Sequence, residues 1–141
     1  MAESTSIDLL TKITHQIRST NLLATVGDSQ SEHFTEMRDT PNFEERWLEA
    51  FAALNQRATE ISEAELRAVD VLREAAFKAA YRNSLNPDFA AFVSDDFELI
   101  ARAIVLGVDA PWINGLWLCY KNDRFPIGEL AAVSGYLRDM L

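Results

Sequence analysis

The side chains able to do chemistry in this chain are mostly carboxylates. Asp95, Asp96 and Glu98 open the stretch "VSDDFELIARAIVLG". Glu45 and Glu49 stand four residues apart with Glu44 beside them, and Asp70 and Glu74 repeat the spacing. Residues four apart share a helix face. Acids paired across two facing helices can hold magnesium for phosphate chemistry, provided they turn into a cavity. Here there is no Glu-Glu-x-x-Glu run and no Glu-x-x-Asp placed to complete such a site. The acids fall opposite apolar stripes or alternate with Arg46, Arg67 and Arg73, which reads as a solvated, ion-paired face. Asp95, Asp96 and Glu98 are read as the start of a helix, where negative charge meets the positive end of the dipole.

Other chemistries find less support. The histidines are His15 and His33, neither with a second histidine or cysteine at ligand spacing, so no zinc site is expected. Cys119 is the single cysteine, set between Leu118 and Tyr120 with no histidine near it in sequence. It reads as a small buried apolar group, and no disulfide within the chain can form. No glycine-rich phosphate loop, Gly-x-Ser-x-Gly elbow or Ser/His/Asp set is present. No cofactor is expected.

The chain has 141 residues, enough for one domain spanning 1–141 with a real core. Twenty-two acids against 13 bases leave a formal charge of −9. That disfavours binding to nucleic acid or anionic lipid; it suits a basic protein partner and equally serves solubility alone. The start "MAESTSIDLLTK" lacks the basic and apolar blocks of a secretory signal, and the lone cysteine fits a reducing cytoplasm.

The elements that must position these groups read as helices. With 5 glycines and 4 prolines, an all-β chain of tight turns is disfavoured. Residues 6–24 carry Ile7, Leu10, Ile13 and Ile17 on one face, with Ser6 as N-cap. A long polar connection, 25–41, follows, open to being a loop, an extra helix or a swapped arm. Residues 42–59 start with Asn42 and Glu45 in a capping-box pattern, then Phe43, Trp47, Ala50, Phe51 and Leu54. Ser62 and Glu65 make a cleaner box before a helix with Leu66, Val69, Leu72, Ala76 and Ala80 inward and Phe77 and Tyr81 beside them. Asn86-Pro87 begins a short helix through Phe89, Phe92 and Val93, and Ser94 or Asp95 caps the next, which ends at Gly107. A helix follows Pro111 as far as Asn122-Asp123, and a last one follows Gly128, with Leu130, Val133, Leu137 and Met140 inward.

The apolar run around 99–118 is broken by Arg102, Gly107, Asp109 and Pro111, so it reads as a buried helix pair and not a membrane span. The fold class is all-α: a bundle of about six helices around a central apolar helix.

The segments "LREAAFKAAYRNS", "FAAFVSDDFELIARAIVLGVDAPWINGLW" and "YKNDRFP" resemble small acidic all-helical immunity proteins of bacterial contact-dependent and other polymorphic toxin systems. The resemblance covers roughly residues 72–126. It implies a cytoplasmic protein that neutralises a cognate toxin with a basic surface, and not an enzyme. The contact candidates are Asp95, Asp96, Glu98, Asp109 and Asp123 with Trp112; Glu32, Glu36 and Asp39 are a second set. A tryptophan beside acids is the composition of an interface anchor. Two other readings stand beside it: a magnesium-dependent all-α nucleotide hydrolase, and a helical adaptor or chaperone that takes a partner helix in a groove.

Overall fold

A computed structural model describes residues 2–19, 31–38 and 40–141. Six α-helices account for most of them: α1 (Ala2–Ser19), α2 (Ser31–Arg38), α3 (Pro41–Asn55), α4 (Glu63–Ser84), α5 (Pro87–Leu106) and α6 (Pro111–Lys121), with no strand among the described residues. Helix α5 is the hub. Helix α4 packs along it most extensively, α1 leans on both, and α2, α3 and α6 each reach it from other sides.

The reason is its composition. Phe89, Val93, Phe97, Leu99, Ile100 and Ala103 of α5 are all essentially without solvent exposure. A helix apolar on most sides must be wrapped by the others. Helix α4 offers it Val69, Leu72 and the alanines 75, 76, 79 and 80, while α1 contributes Leu10, Ile13 and Ile17. Leu66, expected inward, is 37% exposed, and Tyr81, expected beside the inner face, is 42% exposed; Ala76 and Ala80 are buried as expected, with Ala75 and Ala79 beside them.

The helix boundaries follow local chemistry. The Ser62–Glu65 capping box forms in full. Glu65 is itself buried, and its second carboxylate oxygen accepts a 2.6 Å bond from Ser6, so one cap also ties α1 to α4. Ser6 therefore lies inside α1, which starts at Ala2, and does not cap it; residues 20–24 of the expected first helix lie outside the described residues. Helix α3 begins one residue before the expected Asn42 cap, because Pro41 takes the first helical position.

Two expectations are corrected. The short helix after Asn86 and the next one are a single helix. Asn86 caps it through the backbone N–H groups of Asp88 and Phe89, and nothing interrupts it before Gly107, whose φ of 64° ends it. Asp95, Asp96 and Glu98 thus sit mid-helix, away from any dipole end. Ser94 is no cap; its hydroxyl donates to the Arg73 carbonyl on α4.

The final helix is reduced to a short 3₁₀ turn, Leu137–Met140, after an irregular strap. Gly128 and Gly135 hold positive φ there, and the backbone groups a helix needs are engaged by α6. Asn114 donates to the carbonyls of Val133 and Gly135 at 2.7 and 2.8 Å, and the Trp117 indole donates to that of Met140 at 3.1 Å. Of the four residues expected inward, Leu137 is fully buried and Leu130, Val133 and Met140 partly so.

The strap approaches α6 most closely at Gly115, where a Cβ would collide with the Ala131 carbonyl oxygen. Gly115→Ala should therefore destabilise the protein by about 1–3 kcal/mol, the usual size of an overpacking strain. Urea unfolding measures it, and a midpoint equal to the wild type would refute the close approach.

Candidate functional site

Asp96 occupies the buried stripe of α5 between Val93 and Ile100 and has no solvent exposure. A lone carboxylate in that position costs several kcal/mol of desolvation, so it must be paired. Arg38, the last residue of α2, supplies a two-pronged ion pair: Nη1 to Oδ2 at 2.9 Å and Nη2 to Oδ1 at 2.7 Å. The Trp47 indole of α3 donates to Oδ1 at 3.0 Å, and the Tyr120 hydroxyl of α6 donates to Oδ2 at 2.5 Å. Four donors fill the acceptor sites that a carboxylate has.

The guanidinium is enclosed as well. Its centre lies 4.2 Å from the Phe43 ring and 5.0 Å from those of Phe92 and Phe125, within the range of cation–π attraction. Burial opposes the charge on Arg38, but the field and hydrogen bonds of Asp96 prevail and its pKa is raised. Burial drives the Tyr120 phenol well above the ordinary tyrosine value, and the Asp96 charge adds to it.

Toward the surface, the ion pairs run between α4 and α5. Arg73 reaches Asp95 at 2.8 Å and Glu98 at 2.7 Å, and Glu98 meets Arg102 at 3.0 Å. Partial burial raises the pKa of Asp95; Arg73 opposes that shift, and Asp96 and Glu98 add to it.

The contact candidates named above therefore have different placements. Asp96 is inside the molecule with its acceptors used, and Glu98 is largely covered. Asp95 is half-exposed. Asp109 is exposed and accepts the Gly135 N–H at 3.1 Å; Asp123 is exposed in a left-handed turn after α6, at φ 59°. Glu32 and Glu36 are exposed on α2, and Asp39 lies outside the described residues. Trp112 is half-buried, edge-on to Phe43 at 5.3 Å.

Sequence reasoning missed Arg38, Trp47 and Tyr120 as partners of Asp96. A signal was present: Phe89, Val93, Asp96, Ile100 and Ala103 follow a four-three-four-three spacing, which puts the acid on an apolar stripe. Sequence reasoning placed the outward face of α3 in solvent correctly but expected ion pairs there. Glu44, Glu45 and Glu49 are exposed there with no ion pair among the described residues, around a Leu48 that is 53% exposed.

The hydrolase reading required acids converging on a cavity. Glu45, Glu49, Asp70 and Glu74 are all exposed, and Glu74 is paired with Lys78 on its own helix. Among the described residues no group of three or more His, Cys, Asp or Glu side chains is placed to hold a metal ion. Among them too, no helix is long and apolar enough to cross a membrane.

The class defined by these features is a small all-helical scaffold, pinned internally by one buried ion pair and acidic on its exterior. Residues 12–127 match the family model described as Immunity protein PIM1, and the chain belongs to that family. No curated protein matches it significantly.

Two substitutions test the buried network. Asp96→Asn leaves the Arg38 charge buried and uncompensated and should cost about 3–5 kcal/mol in urea unfolding. Tyr120→Phe removes one bond to a charged acceptor and should cost about 1–3 kcal/mol at neutral pH. The folded-state pKa of Tyr120 lies above the unfolded value of about 10, so the stability it contributes is complete below that pH and is lost as pH rises above it. The Phe variant should accordingly lose less stability than wild type above about pH 10. Parallel pH profiles for the two proteins would contradict this account of Tyr120.

Proposed function

We propose that the protein acts without catalysis, in the cytoplasm of the bacterium that makes it, by binding a cognate toxin domain with a basic surface in a stoichiometric complex. Membership of an immunity protein family is the observation that carries this reading. The charge of −9 supports the basic character of the partner. Complementary charge speeds encounter, and a few desolvated anchors then set the lifetime of the complex.

The contact residues proposed are those with surface to offer: Glu32 and Glu36 on α2, Asp109 and Asp123 at the two ends of α6, Trp112, and the outer part of Asp95. Asp96 serves the binding surface indirectly, by fixing α2, α3 and α6 to α5. Glu98 does the same between α4 and α5.

The test uses the toxin domain expected to be encoded by an adjacent gene; the absence of one there counts against the proposal. Added immunity protein should abolish its activity at a 1:1 ratio, and light scattering should show a 1:1 complex. Neutralisation at well below one equivalent would indicate catalysis, and no complex at all would sink the proposal. Glu32→Lys with Glu36→Lys should slow association by about tenfold at low salt and weaken its salt dependence, as expected where charge steers encounter.

A further inference from the structure

The outward face of α3 joins exposed apolar surface at Leu48 to three glutamates that form no ion pair among the described residues, although Arg46 is exposed on the same helix. Some acids elsewhere are matched, Glu60 by Arg57, Glu74 by Lys78, and Glu98 by Arg73 and Arg102, while others such as Glu32, Glu36 and Asp70 also stand exposed. Around Leu48, the glutamates at 44, 45 and 49 have no cation paired to them among the described residues.

A slot of about 230 Å³ leads inward from Leu48 toward α5. Phe43, Trp47 and Phe92 line it together with Glu44 and Asp95, the latter also paired with Arg73 at 2.8 Å. Arg38 borders its inner end, but that charge is already matched by Asp96 at 2.7 Å. On the other flank of α3 a second hollow runs from Glu49 to Trp112, with the Arg46 side chain also lining it. The face is thus continuous from Asp95, past the glutamates, to Trp112.

We infer that this face of α3 is where the toxin docks, and that the slot beside Leu48 receives an arginine or lysine side chain from the toxin's basic surface. The inference rests on the neutralising role proposed above and adds to it a location and a recognition chemistry. Aromatic walls suit the aliphatic stem and cationic head of such a side chain, and Glu44 answers its charge, with Asp95 shared between it and Arg73. An anionic or purely apolar partner would instead strip water from three glutamates and offer no counter-charge. Trp47 is already held by its bond to Asp96, so the slot exists before the partner arrives and little ordering is needed on binding.

The experiment measures binding of the neighbour-encoded toxin domain to four proteins: wild type, Leu48→Arg, Glu44→Lys, and Asp70→Lys as a control on α4. Leu48→Arg puts a cation into the slot and should weaken binding by about tenfold or more, mainly through faster dissociation. Glu44→Lys should slow association and flatten its salt dependence, whereas Asp70→Lys should stay within about twofold of wild type if charge acts locally. Both α3 side chains are exposed, and thermal melts verify folding; should the arginine variant unfold, Leu48→Ser replaces it with the same direction of effect. Wild-type binding with α3 variants within twofold of it, or an equal loss in the Asp70 variant, overturns the docking site and leaves the neutralising role intact. Failure of the wild type to bind overturns the role, and the site with it.

Discussion

The pairing of Asp96 with Arg38 is the constraint on which the architecture turns. Helix α5 is the most apolar element, and placing an ionised carboxylate on its buried stripe is tolerable only if charge and hydrogen bonds are returned to it. They come from three separate helices: the guanidinium from α2, the indole from α3 and the phenol from α6. Helix α2 has eight residues, too few to persist alone in water. Its hold on the molecule is Arg38, together with the stacking of Phe34 near Phe89 and Phe125. A buried pair of this kind gains little net energy over apolar packing of the same shape. Its contribution here is positional: a bidentate fork and two further donors admit few arrangements of four helices.

A second set of contacts shapes the other end. The strap after α6 has little helical character because α6 claims its carbonyls through Asn114, Trp117 and Lys121. Gly115 admits the strap to close range, and Asp109 anchors it through the Gly135 N–H. The consequence for function is that α3 and the start of α6 present their outer surfaces on a rigid base, with Phe43 and Trp112 packed edge-on between them. The acids then divide into two groups. Those on α4 and α5 around Arg73 are spent on internal ion pairs, while those on α2 and α3 remain available at the surface. Net charge alone does not distinguish the two.

Much of the helix inventory was legible in the residues. The Ser62–Glu65 box, the Asn86-Pro87 start, the Gly107 stop and the stripes of α1 and α4 are local signals, and local hydrogen bonding enforces them. Legibility failed wherever a distant partner decided the outcome. Ser6 looked like a cap until Glu65 claimed it, and residues 128–140 looked helical until α6 engaged their backbone. The mid-helix placement of Asp95, Asp96 and Glu98 was missed because an acid cluster resembles a helix start whenever its partners are out of view.

What the chain's own order of residues determined was the all-helical class, the presence of a central apolar helix and the excess of acids, since periodicity, capping and charge are additive and short-ranged. Only the tertiary structure decided which carboxylate is buried, which are neutralised and which face solvent. Those outcomes depend on where Arg38, Arg73, Trp47 and Tyr120 arrive in space, and although the apolar stripe around Asp96 marks it as buried, nothing in the local sequence names the partners tens of residues away.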